Sequence, residues 1–129
     1  MAVINKHKLL NLMSAGADER YRYFVQKAVD FEEVWGLYKD GWALVADSEQ
    51  QHALAFWPEE AFAEACANGS WHGYVPRAIT LSDFTDKWLP GMEKDKLEAA
   101  VFPNIQGKGV CVLPGKIMQD IRTELKNYT

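Results

Sequence analysis

Val34-Trp35-Gly36-Leu37-Tyr38-Lys39-Asp40-Gly41-Trp42-Ala43-Leu44-Val45 is the stretch on which the reading of this chain turns. Two apolar, aromatic-rich runs flank Asp40-Gly41. Asp-Gly is a strong short hairpin signal, because a type I′ turn needs φ > 0 at both central residues. With a two-residue turn, Leu37 pairs with Leu44 and Gly36 with Val45. Side chains alternate along a strand, so Trp35, Leu37, Trp42, Leu44 and Ala46 then share one face. Val34, Tyr38, Ala43 and Val45 share the other, with Gly36 as a gap between Val34 and Tyr38. That gap is expected to receive Trp71 or Trp88 from a covering segment, or a ligand. A three-residue turn shifts the register and swaps one strand's faces.

Upstream of the hairpin, Leu9, Leu10, Leu12 and Met13 suit a short helix ending near Ser14-Ala15-Gly16. Tyr21, Phe24, Val25 and Ala28 then recur at i, i+3, i+4 and i+7, one face of a helix. Asp18 and Glu19 suit its N-terminus, where the helix dipole favours negative charge. Downstream, Asp47-Ser48-Glu49-Gln50-Gln51 reads as a loop and Ala53-Leu54-Ala55-Phe56-Trp57 as a third strand, extending an antiparallel meander. Pro58 suits a first helical position. Ala61 to Ala67 is helical, and Asn68-Gly69 stops it.

Ser70 to Thr80 is extended or irregular, and Pro76 confines any strand there to an edge. Ser82 is a good N-cap for a helix carrying Phe84, Trp88 and Leu89, which Pro90-Gly91 breaks or kinks. Two further strands flank the turn Asn104-Ile105-Gln106-Gly107. Pro114-Gly115 opens a last helix with Ile117, Met118, Ile121 and Leu125 as its stripe, expected to face the sheet. The spacing thus predicts strands near 34–38, 42–46, 53–57, 97–102 and 109–113. It predicts helices near 18–29, 59–68, 82–89 and 115–127. The fold class is α+β, a single domain over residues 1–129: an antiparallel sheet of about five strands in two hairpin units, packed with about four α-helices.

Composition narrows the function classes. The chain has 129 residues, 48% hydrophobic and 25% charged, and its aromatics reach 12%. A chain of this length builds a core without a metal or disulfide staple. Lys and Arg number 14 against 18 Asp and Glu, for a net charge of −4. No basic run offsets this, so neither nucleic acid nor an anionic membrane is an expected partner. No apolar run approaches the ~18–20 residues that span a bilayer. Met-Ala-Val-Ile-Asn-Lys carries no long apolar core and no small-residue cleavage site, so no signal peptide is expected. Cys66 and Cys111 show no metal-binding spacing. A cytoplasmic location with reduced thiols is the simplest expectation.

Several motifs together carry a family resemblance. They are Glu19-Arg20-Tyr21 with Tyr23-Phe24, Glu33-Val34-Trp35-Gly36-Leu37-Tyr38, Asp40-Gly41-Trp42-Ala43-Leu44 and Phe56-Trp57-Pro58. Trp71 with Tyr74 and Pro76, Trp88-Leu89-Pro90-Gly91, and Val101-Phe102-Pro103 complete the set. The chain resembles, over about residues 17–125, an uncharacterised bacterial family known as domain of unknown function 2750. The resemblance implies a small stand-alone bacterial protein. It brings no activity and no catalytic residues.

Two readings of function follow. The first is a non-catalytic binding or accessory module that contacts a protein or small molecule through an aromatic-lined surface. Its candidate contact residues are Trp35, Gly36, Tyr38, Trp42, Trp57, Trp71, Tyr74 and Trp88. Aromatic walls suit flat or cationic ligands. The same rings also serve ordinary core packing, where one Trp buries roughly 150–250 Å². The second reading is a small enzyme with carboxylates, Arg77 and Lys108 around an aromatic cleft. No cofactor or metal is expected, since His7, His52 and His72 lack ligand spacing. Cys66 and Cys111 read as structural, because neither has a sequence neighbour that lowers a thiol pKa. Asp40, Glu59 and Glu60 have turn and helix-dipole explanations. A cleft holding two or more titratable groups with perturbed pKa values favours the enzyme; a flat apolar patch favours the binding module.

Overall fold

The computed structural model describes residues 11–46, 52–104 and 109–128. The long helices fall where the apolar period places them. Helix α1 spans Ala17–Phe31, with Asp18 and Glu19 in its first turn. It buries Phe24, Val25 and Ala28 of the predicted face together with Val29, while Tyr21 is half-buried. Glu32 ends it in the left-handed region (φ 55°), and the Glu32 carbonyl accepts from the Leu81 N–H at 2.8 Å. Of the expected N-terminal helix, residues 11–13 are helical, and residues 1–10 lie outside the described residues.

The hairpin opens as predicted and then departs. Strand β1 runs Glu33–Tyr38. Asp40 takes the positive φ of a tight turn, at 54°. The connection has three residues, because Tyr38 bridges Trp42 and the Ala43 N–H donates to Leu37 O at 2.9 Å. Gly36 therefore does not pair with Val45. Its strand partner is Arg77, and that of Leu37 is Pro76. β1 pairs antiparallel with β4 (Val75–Thr80) in a two-stranded sheet, and Pro76 lies on the edge strand. Strand β2, Leu44–Ala46, instead pairs with β3, His52–Phe56. The expected three-strand meander is thus split between two sheets. The register shift is the one a third turn residue causes.

The second sheet has the order β2-β3-β5-β6, with β5 at Glu98–Val101 and β6 at Val110–Val112. β5 and β6 form the second hairpin in antiparallel register, as expected. β3 and β5 are parallel, so the sheet is mixed rather than antiparallel. A parallel pair needs a long crossover. Residues 57–97 supply it, carrying α2 (Glu60–Ala65), β4 and a long helix. The two sheets are stitched where Trp35 and Trp57 exchange both backbone hydrogen bonds, at 2.8 and 2.7 Å. The loop expected at 47–51 and the turn at 105–107 lie in segments outside the described residues.

The crossover helix, α3, covers residues 81–94. It is α-helical over Leu81–Asp83, makes a π-type turn over Phe84–Trp88, and is α-helical again over Leu89–Lys94. Proline lacks an N–H and its ring crowds the carbonyl four residues back. The widened turn ahead of Pro90 absorbs that conflict, so the helix continues through Pro90-Gly91 instead of breaking. Its N-cap is Thr80 rather than Ser82: the Asp83 N–H donates to Thr80 Oγ1 at 3.1 Å. α2 likewise starts later than Pro58, at Glu60, after the extended Glu59.

One core joins these layers. Trp57, Phe24, Phe56, Phe62, Phe84 and Phe102 are fully buried within it. Ala99, Ala100 and Val101 are all buried, as befits an inner strand covered on both faces. Helix α4, Pro114–Tyr128, packs across α1 and the end of α3. Ile117 and Ile121 are fully buried, Met118 is half-buried, and Leu125 is 42% exposed, so the stripe is shorter than predicted. Ile121→Ala is expected to lower the unfolding free energy by about 2–5 kcal/mol, as for a buried aliphatic truncation. Chemical denaturation measures this, and a near-zero shift would detach α4 from the core.

Candidate functional site

Alternation along β1 puts Val34, Gly36 and Tyr38 on one face of the two-stranded sheet, opposite Ile79, Arg77 and Val75 of β4. The gap at Gly36 is filled by Trp42, not by Trp71, Trp88 or a ligand. A Cβ at Gly36 would stand 2.9 Å from both Cε3 and Cζ3 of the Trp42 indole. The three-residue turn put Trp42 on this face, opposite to its expected side. Trp88 of α3 packs on Trp42 edge-to-face at 4.9 Å. Tyr38 also packs on Trp42 edge-to-face, at 5.1 Å. Inward, Trp88 meets Phe56 at 5.7 Å and Phe56 meets Phe84 at 5.0 Å. Outward, the Arg77 guanidinium lies 4.2 Å from the Tyr38 ring centroid. A row of rings thus runs from the core to an exposed arginine, with Val75, 53% exposed, beside it.

The eight sequence-predicted residues do not form one cluster. Gly36, Tyr38, Trp42 and Trp88 belong to the row. Trp57 is fully buried, donates its indole N–H to Pro103 O at 2.9 Å, and meets Trp71 edge-to-face at 5.5 Å. Trp35 is half-buried and donates to Glu33 Oε2 at 2.8 Å. Tyr74 packs partly buried against the core. None of the eight lines either of two surface grooves that flank the start of α4.

The larger groove, of about 480 Å³, lies between α1, β6 and α4. Val25, Val110 and Val112 line it together with Tyr21, Lys116 and Asp120. The Tyr21 hydroxyl donates to Asp120 Oδ2 at 2.5 Å, and Lys116 Nζ reaches the same oxygen at 3.0 Å. Lys116 Nζ also lies 5.8 Å from the Tyr21 ring centroid. Burial, then the Asp120 hydrogen bond and charge, push the Tyr21 hydroxyl well above its ordinary range. Burial alone would raise Asp120, but the Tyr21 hydroxyl and Lys116 outweigh it and hold the carboxyl below its ordinary value. A second groove, of about 370 Å³, is lined by Glu93, Leu97, Glu98, Leu113 and, again, Lys116.

The Tyr21–Asp120 contact joins residues 99 positions apart, and no local pattern announces it. The readable signal was on α4, where Lys116 and Asp120 stand at i and i+4. Elsewhere, the buried Glu59 carboxylate accepts from the Tyr23 hydroxyl at 2.6 Å, a role beyond the helix-dipole one. Burial pushes the Cys66 thiol up to about 11, against a smaller opposing pull from Trp57. Its S–H points to Pro103 O at 3.3 Å, so it is a protonated, packed side chain at neutral pH. Among the described residues, no group of three or more His, Cys, Asp or Glu could hold a metal ion. His7 lies outside the described residues, and His72 is exposed. No helix among the described residues is long and apolar enough to cross a membrane.

The model of one family, described as a protein of unknown function (DUF2750), matches residues 21–121. No curated protein and no solved structure matches the chain.

Two variants test this geometry. Gly36→Val drives new methyls into the Trp42 ring, which Tyr38 and Trp88 hold in place. Overpacking of this kind is expected to destabilise by about 1–3 kcal/mol, and an unchanged denaturation midpoint would contradict the contact. Asp120→Asn tests the clasp through pH. A carboxyl lowered in the fold adds stability above its unfolded value of about 3.9, and loses it as pH falls through the folded value. The wild-type thermal midpoint is therefore expected to fall more steeply below about pH 4 than that of Asp120→Asn. Parallel acid limbs would contradict the assignment.

Proposed function

The chain belongs to the DUF2750 family of proteins of unknown function, and we propose that it is a non-catalytic binding or accessory module whose contact surface is the row Tyr38, Trp42, Trp88 and Arg77. The observation that carries this reading is the contiguity of the row at the surface. Its three rings are half-buried, Trp42 touches both Tyr38 and Trp88, Arg77 is exposed over Tyr38, and Val75 lies beside them. Tyr, Trp and Arg are the residue types that dominate binding energy at interfaces, and rigid rings lose little conformational entropy when covered. A partner, protein or small molecule, would lay a flat or apolar group on the rings and an anionic group at Arg77.

The groove beside α4 has the cleft and the two shifted groups that an enzyme reading asks for. The shifts, however, run away from neutrality. Tyr21 is held protonated and Asp120 ionised, so neither exchanges a proton readily near pH 7. Binding is the better supported reading for that reason.

The test is affinity capture from a lysate of the source organism on immobilised wild type and on Arg77→Ala, with mass spectrometry of retained proteins and metabolites. Arg77 is exposed, so its truncation leaves the core intact. The reading expects at least one retained species whose affinity falls about tenfold or more with Arg77→Ala. Retention that is identical on both surfaces, or chemical conversion of a retained metabolite, would contradict it.

A further inference from the structure

The groove between α1, β6 and α4 lies apart from the aromatic row and holds a small cation site already occupied by the chain itself. Lys116 Nζ is 3.0 Å from Asp120 Oδ2 and 5.8 Å from the Tyr21 ring centroid. A carboxylate beside an aromatic ring is the pairing that recognises an ammonium group. The Lys116 side chain is 62% exposed, so a solvated, flexible stem carries this cation. An exposed i, i+4 ion pair contributes little, so another ammonium exchanges with it at small cost. Lys116 also lines the second groove, which carries Glu93 and Glu98. The displaced lysine, on its exposed stem, can turn into solvent or towards Glu93.

We propose that the α1–β6–α4 groove binds a small apolar amine, whose ammonium takes the position of Lys116 Nζ between the Tyr21 ring and the Asp120 carboxylate. The floor fits the rest of such a molecule. Val25, Val110 and Val112 give it an apolar bed, and about 480 Å³ is within the ordinary range for small-molecule sites. The charges on the lining select the sign. Asp18, Asp120 and Glu124 face two cations, Arg22 and Lys116. An incoming ammonium finds excess negative charge, and an incoming carboxylate finds repulsion. The Tyr21 hydroxyl stays on Asp120 throughout, fixing the carboxylate for the exchange.

The probes are hexylammonium, hexanoate and hexanol, which share one chain length and differ in the head group. Methyl signals of Val25, Val110 and Val112 in two-dimensional NMR report occupancy of the groove. Hexylammonium is expected to shift these signals saturably, and hexanoate and hexanol far more weakly. Asp120→Asn is expected to weaken hexylammonium several-fold, since it removes the carboxylate charge that holds the ammonium. Lys116→Met removes the internal competitor from an exposed position that the fold does not need, and is expected to tighten hexylammonium several-fold. The proposal is overturned if no probe shifts the valine methyls or if hexanoate binds as tightly as hexylammonium. It is equally overturned if Lys116→Met leaves the hexylammonium affinity unchanged or weaker. None of these outcomes bears on Arg77 or the aromatic row.

Discussion

The Trp42 indole lies where a side chain at position 36 would begin, and much of the surrounding structure answers to that contact. The absence of a Cβ at Gly36 lets the Cε3–Cζ3 edge of the ring press against β1. Pairing of the turn's second arm with β1 ends at the Tyr38–Trp42 bridge and the Ala43–Leu37 hydrogen bond, and Leu44–Ala46 pairs with β3. Trp57 takes the edge of β1 that the arm leaves, and β4 pairs along the opposite edge, which brings Arg77 beside Tyr38. Trp88 reaches the same ring from the π-type turn of α3. An interior methyl at position 36 would undo the arrangement from its base, because interiors tolerate little added volume.

A second constraint ties the ends of the fold together through polar groups. Arg20 is 7% exposed, yet its Nε donates to Phe102 O at 3.1 Å and Nη1 to Ala15 O at 2.6 Å. It joins the segment before α1 to the end of β5. Phe102 sits at φ 50°, where a bulky residue is costly, and its N–H donates to Phe56 O at 2.7 Å. The strain persists because the ring is fully buried against Phe62 and Tyr23. Buried polar groups require partners, and each of these has them. Through Arg20 and Phe102, the segment before α1, β3 and the end of β5 are tied together.

What could be read from the sequence was local. Helical period placed α1 and α4 within a few residues, and β-branched and aromatic runs placed the strands. Pairing could not be read in the same way. The hairpin signal at Asp40-Gly41 is real, but one extra turn residue redirects Trp42, and β1 finds its long partner, some forty residues on, along its other edge. The β3–β5 pair is parallel across a long crossover that also holds a strand of the other sheet, a nesting that leaves no simple repeating pattern. For the site, the residue types were legible and their grouping was not. Trp57 and Trp42 look alike in the chain, yet one is a sealed core ring and the other half-open. The Tyr21–Asp120 clasp depends on α1 and α4 meeting in space, which no spacing encodes.

The contact between positions 36 and 42 is tested most directly by a double-mutant cycle of Gly36→Val and Trp42→Ala, followed by chemical denaturation. If the indole occupies the space over Gly36, removing it opens room for the valine methyls. The penalty of Gly36→Val is then predicted to fall by more than about 1 kcal/mol in the Trp42→Ala background, as for residues in direct contact. Penalties that add to within about 0.5 kcal/mol, as for independent sites, would contradict the account.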